Sequence, residues 1–150
     1  MVFFLDYVSK EFAIHFLPDH PVEVMGSFLQ LNLQFNSGAA FSFATSKSAW
    51  LSALAVGAVA LIFYYGTKVT NKQWALALGF ALGGILGNLS DRLFRPPGFL
   101  SGQVVDWIEL PHWPTFNLAD SSIVGSAIIV VILSVRNIKP IGPDAPPPQF

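Results

Sequence analysis

A chain of 150 residues with 53% hydrophobic and 11% charged side chains lies far from the roughly 25% charge of soluble domains, and its length permits one domain. A net charge of −1 argues against a polybasic surface and a nucleic-acid partner, and zero cysteines exclude disulfides, thiolate nucleophiles and thiolate metal sites. With 14 Phe, 4 Trp and a mean hydropathy of +0.55, the class is integral membrane protein.

The N-terminal stretch MVFFLDYVSKEFAIHFL is interrupted by Asp6, Lys10, Glu11 and His15. It is too short and too charged to span alone, and it lacks the basic start and unbroken apolar region of a cleavable signal peptide. It reads as the outer end of a first helix that begins upstream. FLQLNLQFN follows, alternating Leu29, Leu31, Leu33 and Phe35 with Gln30, Asn32, Gln34 and Asn36, the period of a half-buried strand. Residues 49–66, AWLSALAVGAVALIFYYG, form a span with Trp50 at one end and Tyr64 and Tyr65 at the other. A second span covers 74–94, where Gly79, Gly83 and Gly87 recur every four residues and leave one face bare for close helix approach. QVVDWIEL, flanked by Pro96, Pro97, Gly98 and Pro111, has strand composition. A third span covers 116–135, with SSIVGSAIIVVILSV as its body.

Lys68 and Lys72 occupy the short loop between two spans, and Arg136 and Lys139 follow the last. Positive charge marks cytoplasmic ends, so residues 18–48 and 95–115 fall outside, where the two strands predict a small sheet over the mouth of a helical bundle. Residues 1–138 form one membrane-embedded domain. The proline-rich tail 139–150 cannot pack a core and is expected to be disordered.

Two elements at the outer level carry chemistry. GNLSDR ends one span and FNLADSS begins another, and each contains Asn-x-x-Asp: Asn88 with Asp91, and Asn117 with Asp120. A spacing of three places both side chains on one helix face. Ionisable groups at such a depth are costly and face an interior or a water-filled site. Two neighbouring carboxylates cannot both ionise easily, so one keeps a proton while the other draws a proton from water. That is aspartic-peptidase chemistry, and it needs no metal and no cofactor. Asp120 lies near a helix N-terminus, where the dipole favours charge, which makes it the expected base.

Each aspartate alone also has an ordinary reading. Asp91 with Arg92 can be an interfacial pair that stops a helix, and Asp120 a helix N-terminal carboxylate. Arg92 either contacts Asp106 or a substrate carbonyl, or reaches the interface, and it is expected to point away from the aspartate pair. A small transporter or proton relay also uses intramembrane carboxylates, but it needs a second polar cluster deeper in the bundle. His15, His20 and His112 are isolated, with no His-x-x-x-His pair for zinc. The Ser9–Lys10 and Ser46–Lys47 neighbours point apart, which disfavours a Ser–Lys dyad.

NSGAAFSF, GGILGNLSDRL, VVDWIEL and FNLADSSIVG resemble, in order and spacing, the motif set of bacterial lipoprotein signal peptidase (signal peptidase II), and LDYVSK resembles that family's first-helix motif. The resemblance covers nearly the whole chain from Leu5 to about Val135. It implies a four-helix transmembrane bundle with both termini cytoplasmic and a small extracytoplasmic β-sheet, located in the bacterial cytoplasmic membrane with the active site near the outer face. It implies an aspartyl endopeptidase that cleaves prolipoproteins just before a diacylglyceryl-modified cysteine. Carried over by position, Asp91 and Asp120 are the catalytic pair, and Asn36, Asn88, Arg92, Asn117 and Asp6 belong to the substrate pocket. It further implies membrane lipid as a neighbour, inhibition by the lipidated cyclic peptide globomycin, and action as a monomer. Phe35 stands where the family commonly has arginine, and Tyr7 where it often has glutamine. Gly38, Ala39 and Ala40 would let a substrate backbone pass closely, or form a tight turn.

Overall fold

Four helices and three short strands carry the chain in the order α1 Val2–Phe16, β1 Val22–Glu23, β2 Gln30–Asn36, α2 Ala44–Gly66, α3 Lys72–Phe94, β3 Val104–Glu109 and α4 Leu118–Val135. The computed structural model describes residues 1–17, 19–38 and 44–142. Ala39, Ala40 and the tail beyond 142 lie outside them, as do the side chains of Ser46 and Lys47.

Among the described helices, two are long and apolar enough to cross a membrane: Ser48–Gly66 at mean hydropathy 1.7 and Leu118–Val135 at 2.2. Their apolar side chains point outward rather than into a core: Leu54, Val56, Leu61 and Phe63 on one, and Ile128, Val131, Ile132 and Val135 on the other, are all exposed. Water would not tolerate two such surfaces, but hydrocarbon would.

α3 is the hub. It packs most extensively on α4 and also meets α2 and α1. The close approach follows its glycines, though not the set expected. A Cβ at Gly83 would stand 2.7 Å from Val2, one at Gly84 2.5 Å from the Ala119 carbonyl oxygen, and one at Gly87 2.5 Å from Asp6 Oδ2. Gly79 has nothing within 4 Å. The bare face therefore turns from α1 toward α4, because a period of four drifts around a helix of 3.6 residues per turn.

Asn71 caps α3, accepting from the N–H groups of Gln73 at 2.9 Å and Trp74 at 3.4 Å. At the same end, the chain leaving α4 folds back on the α2–α3 loop. Trp74 Nε1 donates to the Ile138 carbonyl at 2.8 Å, and the N–H groups of Thr70 and Asn71 donate to the Pro140 carbonyl at 3.1 and 3.3 Å. The carbonyls of Ile138 and Pro140 thus anchor the chain after α4 to the α2–α3 connection. Lys68, Lys72, Arg136 and Lys139 gather at this one end.

At the other end β1, β2 and β3 form one antiparallel sheet in that order. The expected alternation of β2 is not realised in its burial, which runs half-buried and then exposed. A register shift between Leu31 and Gln34 interrupts the ladder, and such a bulge turns side chains off their faces. In β3 the first three residues, Val104, Val105 and Asp106, are all buried, because α1 and α3 pack against this strand. The chain then reverses: Ile108 and Phe116 exchange two backbone hydrogen bonds at 2.9 Å, which delivers the start of α4 beside β3.

Candidate active site

Asn117 organises the site. It is the N-cap of α4, with Asp120 three residues on, and the two form a reciprocal capping box. The Asp120 N–H donates to Asn117 Oδ1 at 2.9 Å, and the Asn117 N–H donates to Asp120 Oδ2 at 3.2 Å. The remaining Asn117 donor, Nδ2, reaches Asp106 Oδ1 on β3 at 2.7 Å, the Val105 carbonyl at 3.2 Å and Asn88 Oδ1 on α3 at 3.1 Å. One buried asparagine therefore holds two carboxylates from different elements in a single cluster.

Asp106 is 2% exposed, and Asn36 Nδ2, at the rim of the sheet, donates to its Oδ2 at 2.9 Å. Burial, opposed by the Asn36 hydrogen bond and reinforced by the negative charge of Asp120, pushes the Asp106 carboxyl up to about 6. Asp120 is only half-buried, and Asn88 Nδ2 donates to its Oδ1 at 2.7 Å. One acid is therefore deep and inclined to hold a proton, while its neighbour is more open and supplied with donors. Environments that set two carboxyl groups apart in this way are the basis of acid–base assignments.

Asp91 has a different environment. Both of its oxygens are committed: Oδ1 to Arg95 Nε at 2.5 Å, and Oδ2 to Lys10 Nζ at 2.8 Å and the Val105 N–H at 3.3 Å. It ties α3 to α1 and to the start of β3. Among the described residues no hydrogen bond joins it to Asp120. Asp6 lies beneath the site rather than lining it. Fully buried, it accepts from the Ala119 N–H at 2.8 Å and pairs with Lys10 at 2.7 Å. Arg92 Nη1 donates to Ser48 Oγ of α2 at 3.0 Å, and its charge is felt by Asp106, Asp120 and Asp91. Asn36 Oδ1 accepts from the Gly38 N–H at 2.8 Å, where a positive φ of 78° suits glycine.

Spacing in the sequence singles out neither Asp106 nor Lys10 as a site residue. Each carried a signal of its own kind, a lone carboxylate in the apolar strand VVDW and a lysine one turn after an aspartate in LDYVSK. Among the described residues, no group of three or more histidine, aspartate or glutamate side chains could hold a metal ion.

Residues 1–136 match the family described as signal peptidase (SPase) II. The lipoprotein signal peptidase of Mycobacterium tuberculosis (strain ATCC 25618 / H37Rv) is 48% identical over 136 residues, which is 90% of this chain and 67% of that relative. The lipoprotein signal peptidase of Mycobacterium avium (strain 104) is 47% identical over 132 residues, covering 87% of this chain and 72% of the relative. A solved structure of a bacterial membrane enzyme is similar at a TM-score of 0.80 and 26% identity, covering 91% of this chain and 88% of that one.

Proposed function

This chain belongs to the signal peptidase II family, and from that premise we propose that it is an aspartic-type membrane endopeptidase that removes the signal peptide from prolipoproteins, cutting just before the diacylglyceryl-modified cysteine. The observation that carries the mechanism is the double grip of Asn117 on Asp106 and Asp120. The matched spacing of the two Asn-x-x-Asp elements pairs Asp120 with Asp91; in the proposed pair Asp106 takes that place. Both Asp91 oxygens are already engaged, one by Arg95 and the other by Lys10 and the Val105 N–H.

In the reaction Asp120 takes a proton from a water molecule as its oxygen attacks the scissile carbonyl carbon. The Asp106 carboxyl gives its proton to the carbonyl oxygen, producing a neutral tetrahedral diol. Collapse of the diol returns one hydroxyl proton to Asp106, and the proton on Asp120 passes to the leaving nitrogen as the C–N bond breaks. Asn117 and Asn88 keep the carboxylates in place, while Asn36 and Arg92 line the substrate side.

The four helices form the transmembrane bundle in this reading. The basic residues gathered at one end support a cytoplasmic position for it, with the carboxylates facing the outer interface of the bacterial cytoplasmic membrane. A substrate anchored by acyl chains presents its scissile bond at that level. Both carboxylates come from one chain, so a monomer suffices, and a lipidated cyclic peptide of the globomycin type would occupy the same pocket.

Purified protein in lipid or detergent, given a diacylglyceryl-modified prolipoprotein, is expected to release the signal peptide with the new N-terminus at the modified cysteine, and globomycin is expected to block it. Folded protein that leaves this substrate intact would overturn the proposal.

A further inference from the structure

Lys10 projects from α1 into the protein with 1% of its surface exposed. A buried ammonium is costly unless acceptors surround it, and three do: Asp6 Oδ2 at 2.7 Å, Asp91 Oδ2 at 2.8 Å and Asn88 Oδ1 at 3.0 Å. The third contact bears on the reaction. A carboxamide offers an acceptor on one side and donors on the other, while an ammonium only donates, so Lys10 selects the Asn88 oxygen. Asn117 Nδ2 donates to that same oxygen at 3.1 Å. Asn88 Nδ2 is thereby turned toward Asp120, to which it donates at 2.7 Å. The flipped amide would set its nitrogen against the ammonium and its oxygen against a carboxylate.

We propose that Lys10 is a positioning residue of the peptidase, fixing through Asn88 the donor that orients Asp120. This rests on the pairing of Asp106 with Asp120.

The groups bearing on Asp106 come from every element around it: Lys10 of α1, Asn36 of β2, Arg92 of α3, and Asn117 and Asp120 at the start of α4. Of these, Lys10 and Arg92 oppose the burial and the Asp120 charge that raise the Asp106 carboxyl. The Lys10 charge is itself partly offset by Asp6 and Asp91. Asp106 must hold its proton to act as acid, so activity falls on the alkaline side as that proton leaves. Removing the Lys10 charge raises the affinity of Asp106 for its proton further and moves this limb to higher pH. Removing the Asp6 charge leaves Lys10 less offset and moves the limb the other way.

The test compares pH profiles of kcat/KM for the parent, Lys10→Met, Asp6→Asn, and the double variant that keeps the buried charge sum. The alkaline limb is expected to rise in Lys10→Met, to fall in Asp6→Asn, and to rise by less in the double variant, where loss of the Asp6 charge offsets part of the lost Lys10 charge. In the double variant kcat drops on the order of ten- to a hundredfold, as for other outer partners of reactive groups, with KM near the parent value. If Lys10→Met alone fails to fold, the double variant and Asp6→Asn still decide the matter. Limbs that stay in place, with activity merely tracking the folded fraction, would overturn the role of Lys10. Retained cleavage in Asp106→Asn would instead overturn the pairing on which it rests.

Discussion

Asp106→Asn is expected to lower kcat/KM for prolipoprotein by on the order of 10²–10⁴, the usual share of a general acid, while the folded protein melts close to the parent temperature. The amide is nearly isosteric with a protonated carboxyl, and its oxygen can still accept from Asn36 Nδ2 or Asn117 Nδ2, both of which reach the carboxyl in the parent. Asp91→Asn separates the roles. Removing one partner of a buried ion pair costs about 3–5 kcal/mol, and here the loss strands Lys10 and weakens Arg95. Asp91→Asn should therefore melt much lower, while its folded fraction keeps most of its turnover. Thermal melts beside single-turnover cleavage distinguish the two, and the opposite pattern would return Asp91 to the catalytic pair.

Gly84→Val acts on the fold through packing rather than charge. Its Cβ would stand 2.5 Å from the Ala119 carbonyl oxygen and 2.8 Å from Ile123. A backbone carbonyl in the first turn of α4 cannot swing aside as a flexible side chain does. Overpacking of this kind costs about 1–3 kcal/mol or more, and it also pushes α4 off α3. Asn88 sits one turn along on α3, so the 2.7 Å bond from Asn88 to Asp120 lengthens with the same displacement. The melting temperature and cleavage should fall together in Gly84→Val. Gly79→Val, with nothing within 4 Å, should leave cleavage unchanged.

Much of the architecture was legible along the chain. Apolar length marks α2 and α4, period-two composition marks β2, and punctuation by Pro and Gly brackets β3. Local rules also place Asn88, Asn117 and Asp120 at the helix ends they occupy. What they miss is the meeting of Asp106 with Asp120, because a spacing of three compares residues on one helix only. That meeting is made by the reversal between Ile108 and Phe116, which lays the start of α4 against a strand, and no periodicity encodes it. The partners of Asp91 are hidden from the sequence for a related reason. Its sequence neighbour Arg92 turns away to Ser48, while its partners, Lys10 and Arg95, come from another helix and from the next turn.

The glycine pattern shows the same limit. A repeat of four was legible, and Gly83 and Gly87 are tight as it implies, but Gly79 meets nothing within 4 Å and Gly84, outside the repeat, makes the close approach to the backbone of α4. The contact at Pro140 is a third case: its carbonyl accepts from two loop N–H groups, since proline lacks a donor but keeps its acceptor, and composition does not show that partner.

Titration of the Asp106 carboxyl, followed by carbon NMR of aspartate-labelled protein with Asp106→Asn to assign the signal, tests most directly whether Asp106 and Asp120 act as one pair. In the parent the signal is expected to titrate at about 6. In Asp120→Asn the neighbouring negative charge is gone, so the midpoint should move down toward the ordinary carboxylate value, stopping short because burial remains. A midpoint that stays where it was in Asp120→Asn would contradict the pairing.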